Sequence, residues 1–275
     1  MHGPTEFFDV SRFNLAIKLE RALFVVCISD FTRSQLMAHC APELWDKLHV
    51  VHVGIPLEQF TNRAGARPEP TEPTILTIGR HVPEKGQGLL LEAAAMLLER
   101  RKMVNVTLAG DGAARADLER LAERLGLAAR TSFPGAVGQD DLRALYADAT
   151  IFCLPSFAEG TPGVLMEAMA MELPVISTRI TGVPEIIDDG RTGLLVPPGR
   201  VDLLTDALER LLDDPALRRQ IGAAARATIA REFETEKSAE ELLRLFTSEL
   251  KIAPSTAPRA ESDPPARRPR ALSTK

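Results

Sequence analysis

The sequence predicts an α/β fold, a parallel sheet with helices on both faces. Short apolar, β-branched runs alternate with longer stretches whose apolar residues recur at helical spacing. Gly- and Pro-rich turns follow the ends of several runs, on what would be one edge of one sheet. Such alternation means βαβ units, whose strands are buried on both sides.

In chain order, Leu23–Ile28 reads as a buried strand, Ser29 or Asp30 as the cap of a helix carrying Leu36 and Met37, and Val50–Val53 as a second strand. Two strands with two or three helices are too little for an independent domain and look like the last third of one. The Pro-rich stretch Arg67–Pro73 then works as a linker. Ile75–Ile78 opens a longer series, with Leu90, Ala93, Ala94 and Leu97 marking the helix behind it. Val104–Leu108 is the next strand and Leu118, Leu121, Ala122 and Leu125 the next helix face. Ser132-Phe133, a helix near Leu142 and Leu145, the strand Ile151–Leu154 and a helix over Val164–Met171 follow. Pro174–Ser177 and Gly193–Val196 are further strands. Helical stripes then take over at Leu203–Leu212, behind Asp214-Pro215, and at Ala239–Phe246. From Pro254 to Lys275 the composition predicts a disordered tail. The expected divisions are residues 1–66, a linker at 67–73, a main domain at 74–252 and a tail at 253–275.

The chain of 275 residues, 45% hydrophobic and 26% charged, has the composition of a soluble globular protein. A net charge of −5 and only 5% aromatic residues give no electrostatic or stacking platform for nucleic acid. Cys27, Cys40 and Cys153 are odd in number and form no CxxC, which predicts free thiols in a reducing compartment. No apolar run reaches the ~18 residues of a membrane span, and the first residues lack the pattern of a signal peptide. The expected location is the cytoplasm, with docking at the inner membrane face left open. The five histidines do not pair at ligand spacing and no Asp-x-Asp occurs, so neither a metal nor a cofactor is expected.

The strongest constellation runs from Pro155 to Ala170: a strand end, then Glu159-Gly160-Thr161-Pro162-Gly163-Val164, then a helix bearing Glu167. Free N–H groups at a helix start suit a diphosphate, and a carboxylate there suits a ribose diol. Solvated loop and helix charges are the competing account. The second constellation is Gly79-Arg80-His81-Val82-Pro83-Glu84-Lys85-Gly86, directly behind a strand, where Arg80 and Lys85 suit phosphate oxygens. A plain strand-to-helix turn competes with it. Ala109-Gly110-Asp111-Gly112 opens space for a base or ribose, or makes a tight turn in which Asp111 caps a helix. Thr131–Val137 and Thr181–Ile186 are read as further turns on the same edge.

With these motifs in order, residues 2 to about 250 resemble the family 4 retaining glycosyltransferases of the GT-B fold. The resemblance is carried by Val53-Gly54-Ile55-Pro56 through Phe60, Gly79-Arg80 with Lys85-Gly86, Ala109-Gly110-x-Gly112 and Phe133-x-Gly135-x-Val137. It continues through Glu159 and Glu167 eight apart, Gly182-x-Pro184-Glu185, and Asp189-Gly190 through Pro198. His2-Gly3 through Val10 and Cys27–Phe31 look like the branch that builds colanic-acid-type exopolysaccharides.

The resemblance implies that residues 74–252 are the C-terminal Rossmann-like domain, which holds a nucleoside-diphosphate sugar, and that 1–66 are a remnant of the N-terminal acceptor domain. Arg80 and Lys85 would hold the diphosphate, Glu167 the ribose, and Glu159 the region of the transferred sugar. Backbone near Ala136 and Val137 would touch the base, and His2 would match a histidine near the sugar. Gly79, Gly110, Gly160, Thr161, Pro162, Gly163 and Val164 complete the expected donor site. The implied reaction moves a hexose to a glycan or lipid-linked acceptor with retention and without a metal.

There are two departures from the family's pattern. Glu172 stands where the family usually has Gly, at an expected cost of roughly 1 kcal/mol if the turn is left-handed. Most of the N-terminal domain also has no counterpart ahead of His2, which predicts a truncated gene or a mis-called start. Competing readings are a remnant that binds nucleotide without transfer, a sugar epimerase of the same fold, and a Rossmann dehydrogenase. The absence of GxGxxG after Ile78 and Leu108 argues against the last.

Overall fold

The computed structural model describes residues 14–61 and 72–250. His2, residues 67–71 of the expected linker and the expected tail lie outside them. Among the described residues, a first segment runs α1 (Leu15–Arg21), β1 (Val25–Cys27), α2 (Asp30–Met37) and β2 (Leu48–Val50). The larger unit then runs β3 (Thr74–Ile78), α3 (Gln87–Glu99), β4 (Asn105–Ala109), α4 (Arg115–Arg124), β5 (Thr131–Gly135), α5 (Gln139–Asp148) and β6 (Ile151–Leu154). It continues through α6 (Gly163–Ala170), β7 (Val175–Thr178), α7 (Val183–Ile186), β8 (Leu194–Val196), α8 (Val201–Asp213), α9 (Pro215–Glu232) and α10 (Thr235–Glu249).

The larger sheet has the order β5-β4-β3-β6-β7-β8, and every pairing in it is parallel. Side chains of a strand alternate between faces, and the two buried clusters divide accordingly. Leu76, Ile78, Phe152, Leu154 and Val175 pack with α5, α6 and α9. Ile75, Val106, Leu108, Ile151, Cys153 and Ile176 pack with α3, α4 and α8. The predicted α/β fold with helices on both faces is the observed one. At Glu172 the backbone is left-handed, with φ 59°, in the turn between α6 and β7.

β1 and β2 form a separate two-stranded parallel sheet. Leu15, Leu19, Cys27, Leu36 and Leu48 make the small core beside it. The expected strand Val50–Val53 lies earlier, at Leu48–Val50. β1 ends at Cys27, whose carbonyl takes the Val51 N–H at 2.9 Å as the last rung of the ladder among the described residues. Leu23 and Phe24 also stay outside their expected strand, and the Phe24 ring packs edge-on against Phe246 of α10, 5.0 Å between centroids.

The chain crosses between the units at two adjacent places. The Ile55 N–H donates to the Phe233 carbonyl (2.9 Å) and the Thr235 N–H to the Ile55 carbonyl (3.1 Å). Gly54 lies so close that a Cβ there would stand 2.5 Å from the Glu234 carbonyl carbon and the Thr235 nitrogen. Beyond this crossing, Ile55 and Phe60 enter the larger core, while α10 leans on the smaller unit.

Candidate active site

β3 and β6 are neighbours, yet the chain leaves them in opposite directions, to β4 and β5 on one side and to β7 and β8 on the other. The loops behind these two strands therefore diverge, and the crevice between them, at the C-terminal ends of the strands, is where open α/β sheets bind ligands. The two strongest motifs of the sequence flank that crevice.

The first loop starts at Gly79, carries the exposed Arg80, and makes one tight turn at Pro83–Lys85. Gly86 ends the turn at φ 65°, and its α-carbon lies so near the Pro155 carbonyl that a side chain would collide. The Phe157 N–H donates to the Glu84 carbonyl at 2.7 Å, which fastens this loop to the second one. Lys85 is thereby delivered across the crevice. Its Nζ donates to both carboxylate oxygens of Glu159, at 2.7 and 2.8 Å. Glu159 is only 6% exposed. Ser156 Oγ donates to Glu159 Oε1 at 2.6 Å, and Thr181 Oγ1 donates to the Glu159 carbonyl at 2.6 Å. A carboxylate out of water needs a paired cation and hydrogen bonds to remain there, and Glu159 has both.

The second loop passes Gly160 and Thr161, reaches Pro162 and enters α6 at Gly163 and Val164. The first N–H groups of a helix have no intrahelical acceptor and favour an anion. One turn on, Glu167 is half-buried and accepts a hydrogen bond from Tyr146 Oη on α5 at 2.8 Å. Burial raises the Glu167 carboxyl above the ordinary glutamate value, and the tyrosine bond acts against that rise. Glu167 is thus a held carboxylate, not a solvated helix charge.

The turns behind β3, β4 and β5 lie side by side along the same edge. The Gly79 N–H donates to the Ala109 carbonyl at 3.0 Å and the Gly110 N–H to the Gly135 carbonyl at 2.8 Å. Gly110 has φ 134°, and a Cβ there would strike the Gly79 carbonyl, so the close approach requires glycine. Ala136 is exposed at the end of β5, and Val137 is half-buried against the core. Asp111 does not cap α4: its Oδ1 accepts from the next N–H, Gly112, at 2.8 Å, and the helix begins at Arg115 without a side-chain cap. Thr181–Ile186 is not wholly a loop, since Val183–Ile186 closes one helical turn with Pro184 at its start.

The structure brings Lys85, Glu159 and the α6 entrance together, with Arg80 on the same loop as Lys85 and Glu167 on α6. Ala136 and Val137 lie farther along the edge. Among the described residues no group of three His, Cys, Asp or Glu side chains could hold a metal ion. Sequence reasoning gave no role to Ser156, Thr181, Tyr146 or Glu185. Glu185 takes the Asp30 and Phe31 N–H groups on its two oxygens, both at 2.8 Å, and so caps α2 of the smaller unit from α7. Only the hydroxyl three residues before Glu159 carried a readable signal.

The family model of the glycosyl transferases group 1 matches residues 58–228. The chain belongs to that family. An alpha-D-kanosaminyltransferase of Streptomyces kanamyceticus is 35% identical to this chain over 174 residues, 63% of the chain and 45% of the relative. A D-inositol 3-phosphate glycosyltransferase of Streptomyces scabiei is 34% identical over 221 residues, 74% of the chain and 49% of the relative. The chain spans about half the length of these relatives. Among solved structures, sucrose-phosphate synthase from Thermosynechococcus elongatus superposes with a TM-score of 0.77 at 26% identity, over 89% of this chain and 64% of that one. Anabaena HepE in complex with UDP shares the fold, with a TM-score of 0.76 at 22% identity, over 86% of this chain and 68% of that one. The fold is accordingly that of the GT-B glycosyltransferases.

Proposed function

We propose that this glycosyltransferase chain holds a nucleoside-diphosphate sugar in the crevice between β3 and β6. In this reading it is the donor side of a retaining, metal-independent hexosyltransferase that acts on a glycan or lipid-linked acceptor. The observation that carries the reading is the Lys85–Glu159 pair drawn across that crevice, beside a half-buried Glu167 at the start of α6. Arg80 and Lys85, with the N–H groups at Gly163 and Val164, stabilise the diphosphate as it leaves. Glu167 accepts the ribose hydroxyls, and Glu159, with Gly160, Thr161 and Pro162, borders the transferred sugar. Gly79 and Gly110 let the ligand approach the backbone, and Ala136 and Val137 border the base. His2 is assigned to the sugar side.

Residues 1–66 are assigned to the acceptor side, 67–73 to a linker and 74–252 to the donor side. The acceptor is assigned to exopolysaccharide assembly at the inner face of a membrane. No helix among the described residues is long and apolar enough to cross one. The HepE relative solved with UDP, and a mycobacterial relative named for its dependence on GDP-mannose, support a nucleoside-diphosphate donor.

Thermal unfolding with UDP, GDP and ADP, beside Arg80→Ala, tests the reading. A ligand present at about 100 times its Kd adds about 2.7 kcal/mol. A rise in Tm with one nucleotide, absent in Arg80→Ala, is expected and names the donor class. No rise with any nucleotide removes the donor-site reading. Product formed by the chain from the matching sugar nucleotide and an acceptor glycan would exclude the second reading, binding without transfer.

A further inference from the structure

Tyr146 is buried on α5. Its ring is fixed by Phe152 and Phe60, with centroids at 5.9 and 6.4 Å. The hydroxyl stands 2.8 Å from Glu167 Oε2 and 3.1 Å from the Val164 carbonyl. A phenol has one proton to donate, and here it faces two acceptors. An ionised Glu167 takes that proton in a charge-assisted bond, the stronger of the two choices. A protonated Glu167 would instead donate to the phenol oxygen, whose own proton would turn to Val164.

We infer that Tyr146 is a positioning residue for nucleotide binding, holding Glu167 by one oxygen so that its carboxylate stays ionised and presents the other to a ribose diol. This rests on the reading of Glu167 as the ribose-binding carboxylate. A diol offers two O–H donors, and only an ionised carboxylate is free of a competing proton. Burial pushes Glu167 toward the protonated form, and the hydrogen bond from Tyr146 opposes it. Tyr146 is itself held well above the ordinary tyrosine value, by burial and then by the neighbouring carboxylate, so it stays a donor at neutral pH.

The test compares the unaltered chain with Tyr146→Phe and Glu167→Gln. Each is titrated with UDP, GDP and ADP and with their 2′,3′-dideoxy analogues, from pH 4.5, the ordinary glutamate value, to neutrality. Thermal unfolding first establishes that each variant is folded, and Phe keeps the buried ring. Tyr146→Phe is expected to weaken the preferred nucleotide about tenfold, the loss of one hydrogen bond to a charged group. It should leave the dideoxy analogue unchanged. The midpoint at which nucleotide binding fails on the acid side should also move to higher pH, because the ionised carboxylate has lost its donor. Equal weakening of both ligands, or no change in either ligand or midpoint, overturns the inference. If Glu167→Gln does not discriminate between nucleotide and dideoxy analogue, the ribose reading itself falls. If Glu167→Gln discriminates and Tyr146→Phe does not, the carboxylate keeps its role and the tyrosine loses its own.

Discussion

β3 to β8 lie between two layers of helices, whereas among the described residues β1 and β2 pair only with each other and rest on one small cluster. In the larger unit the strands present Ile75, Leu76, Phe152, Cys153 and Ile176 to one layer or the other, all essentially without exposure. In and around the smaller unit, Ile17, Leu23, Trp45 and Val53 remain exposed, as do Leu243 and Phe246 on α10 and Leu250 at its end. The difference shows where the rigidity of the site comes from. Loops that end strands covered on both faces inherit fixed positions, and the Lys85–Glu159 pair is held by such loops. The smaller unit borrows its order from outside: Glu185 caps α2, and Phe246 covers Phe24.

The largest effect should come from opening the larger core. Phe152→Ala removes a fully buried ring from the central strand β6 and should cost about 3–5 kcal/mol. Chemical denaturation should show the whole larger unit lost in one step; two separate transitions would mean that its two layers are not one cooperative body. Glu185→Ala should cost less, about 1–2 kcal/mol, since it removes two charge-assisted bonds at a partly exposed place. Its signature is regional: amide exchange should rise across 25–50 and stay unchanged in β3 to β8. Uniform acceleration would contradict the contrast between the units. Smallest is Glu172→Gly, a gain of about 1 kcal/mol, because the left-handed turn at φ 59° suits glycine. The lost ion pair with the half-buried Arg226, at 3.7 Å and with Glu172 itself exposed, offsets part of that gain. An unchanged or lowered Tm would show that the turn is not strained.

The larger unit was readable because five of its six strands are short apolar runs bounded by turn residues; β5, Thr131–Gly135, is not apolar and was marked only by Ser132-Phe133, yet all six strands lie within a residue or two of the expected places. The smaller unit was less so. Val51 and Val53 look like strand residues, yet among the described residues the ladder ends where the Val51 N–H meets the Cys27 carbonyl. At the site, the two glutamates and Lys85 stood out through their spacing around glycine and proline. Tyr146 did not, since a lone aromatic on an amphipathic helix reads as core, and it is core except for its hydroxyl. Glu185 was equally hidden, because its partners are backbone groups about 155 residues earlier in the chain. His81 likewise looked like part of a phosphate loop. It is buried under that loop, edge-on to Phe133 at 6.2 Å, and burial lowers its pKa from the ordinary histidine value.

The doubled crossing at Ile55 and Phe233–Thr235 has a mechanical consequence. Two lengths of backbone laced together by hydrogen bonds act as a strap, and with Glu185 gripping the start of α2 the smaller unit is tied to the larger at two separate places. Because the Phe246 ring of α10 packs on Phe24, the last helix among the described residues is braced by the first segment as well as by the domain it follows. A cut made just before Thr235 would therefore loosen the beginning of the chain more than its end.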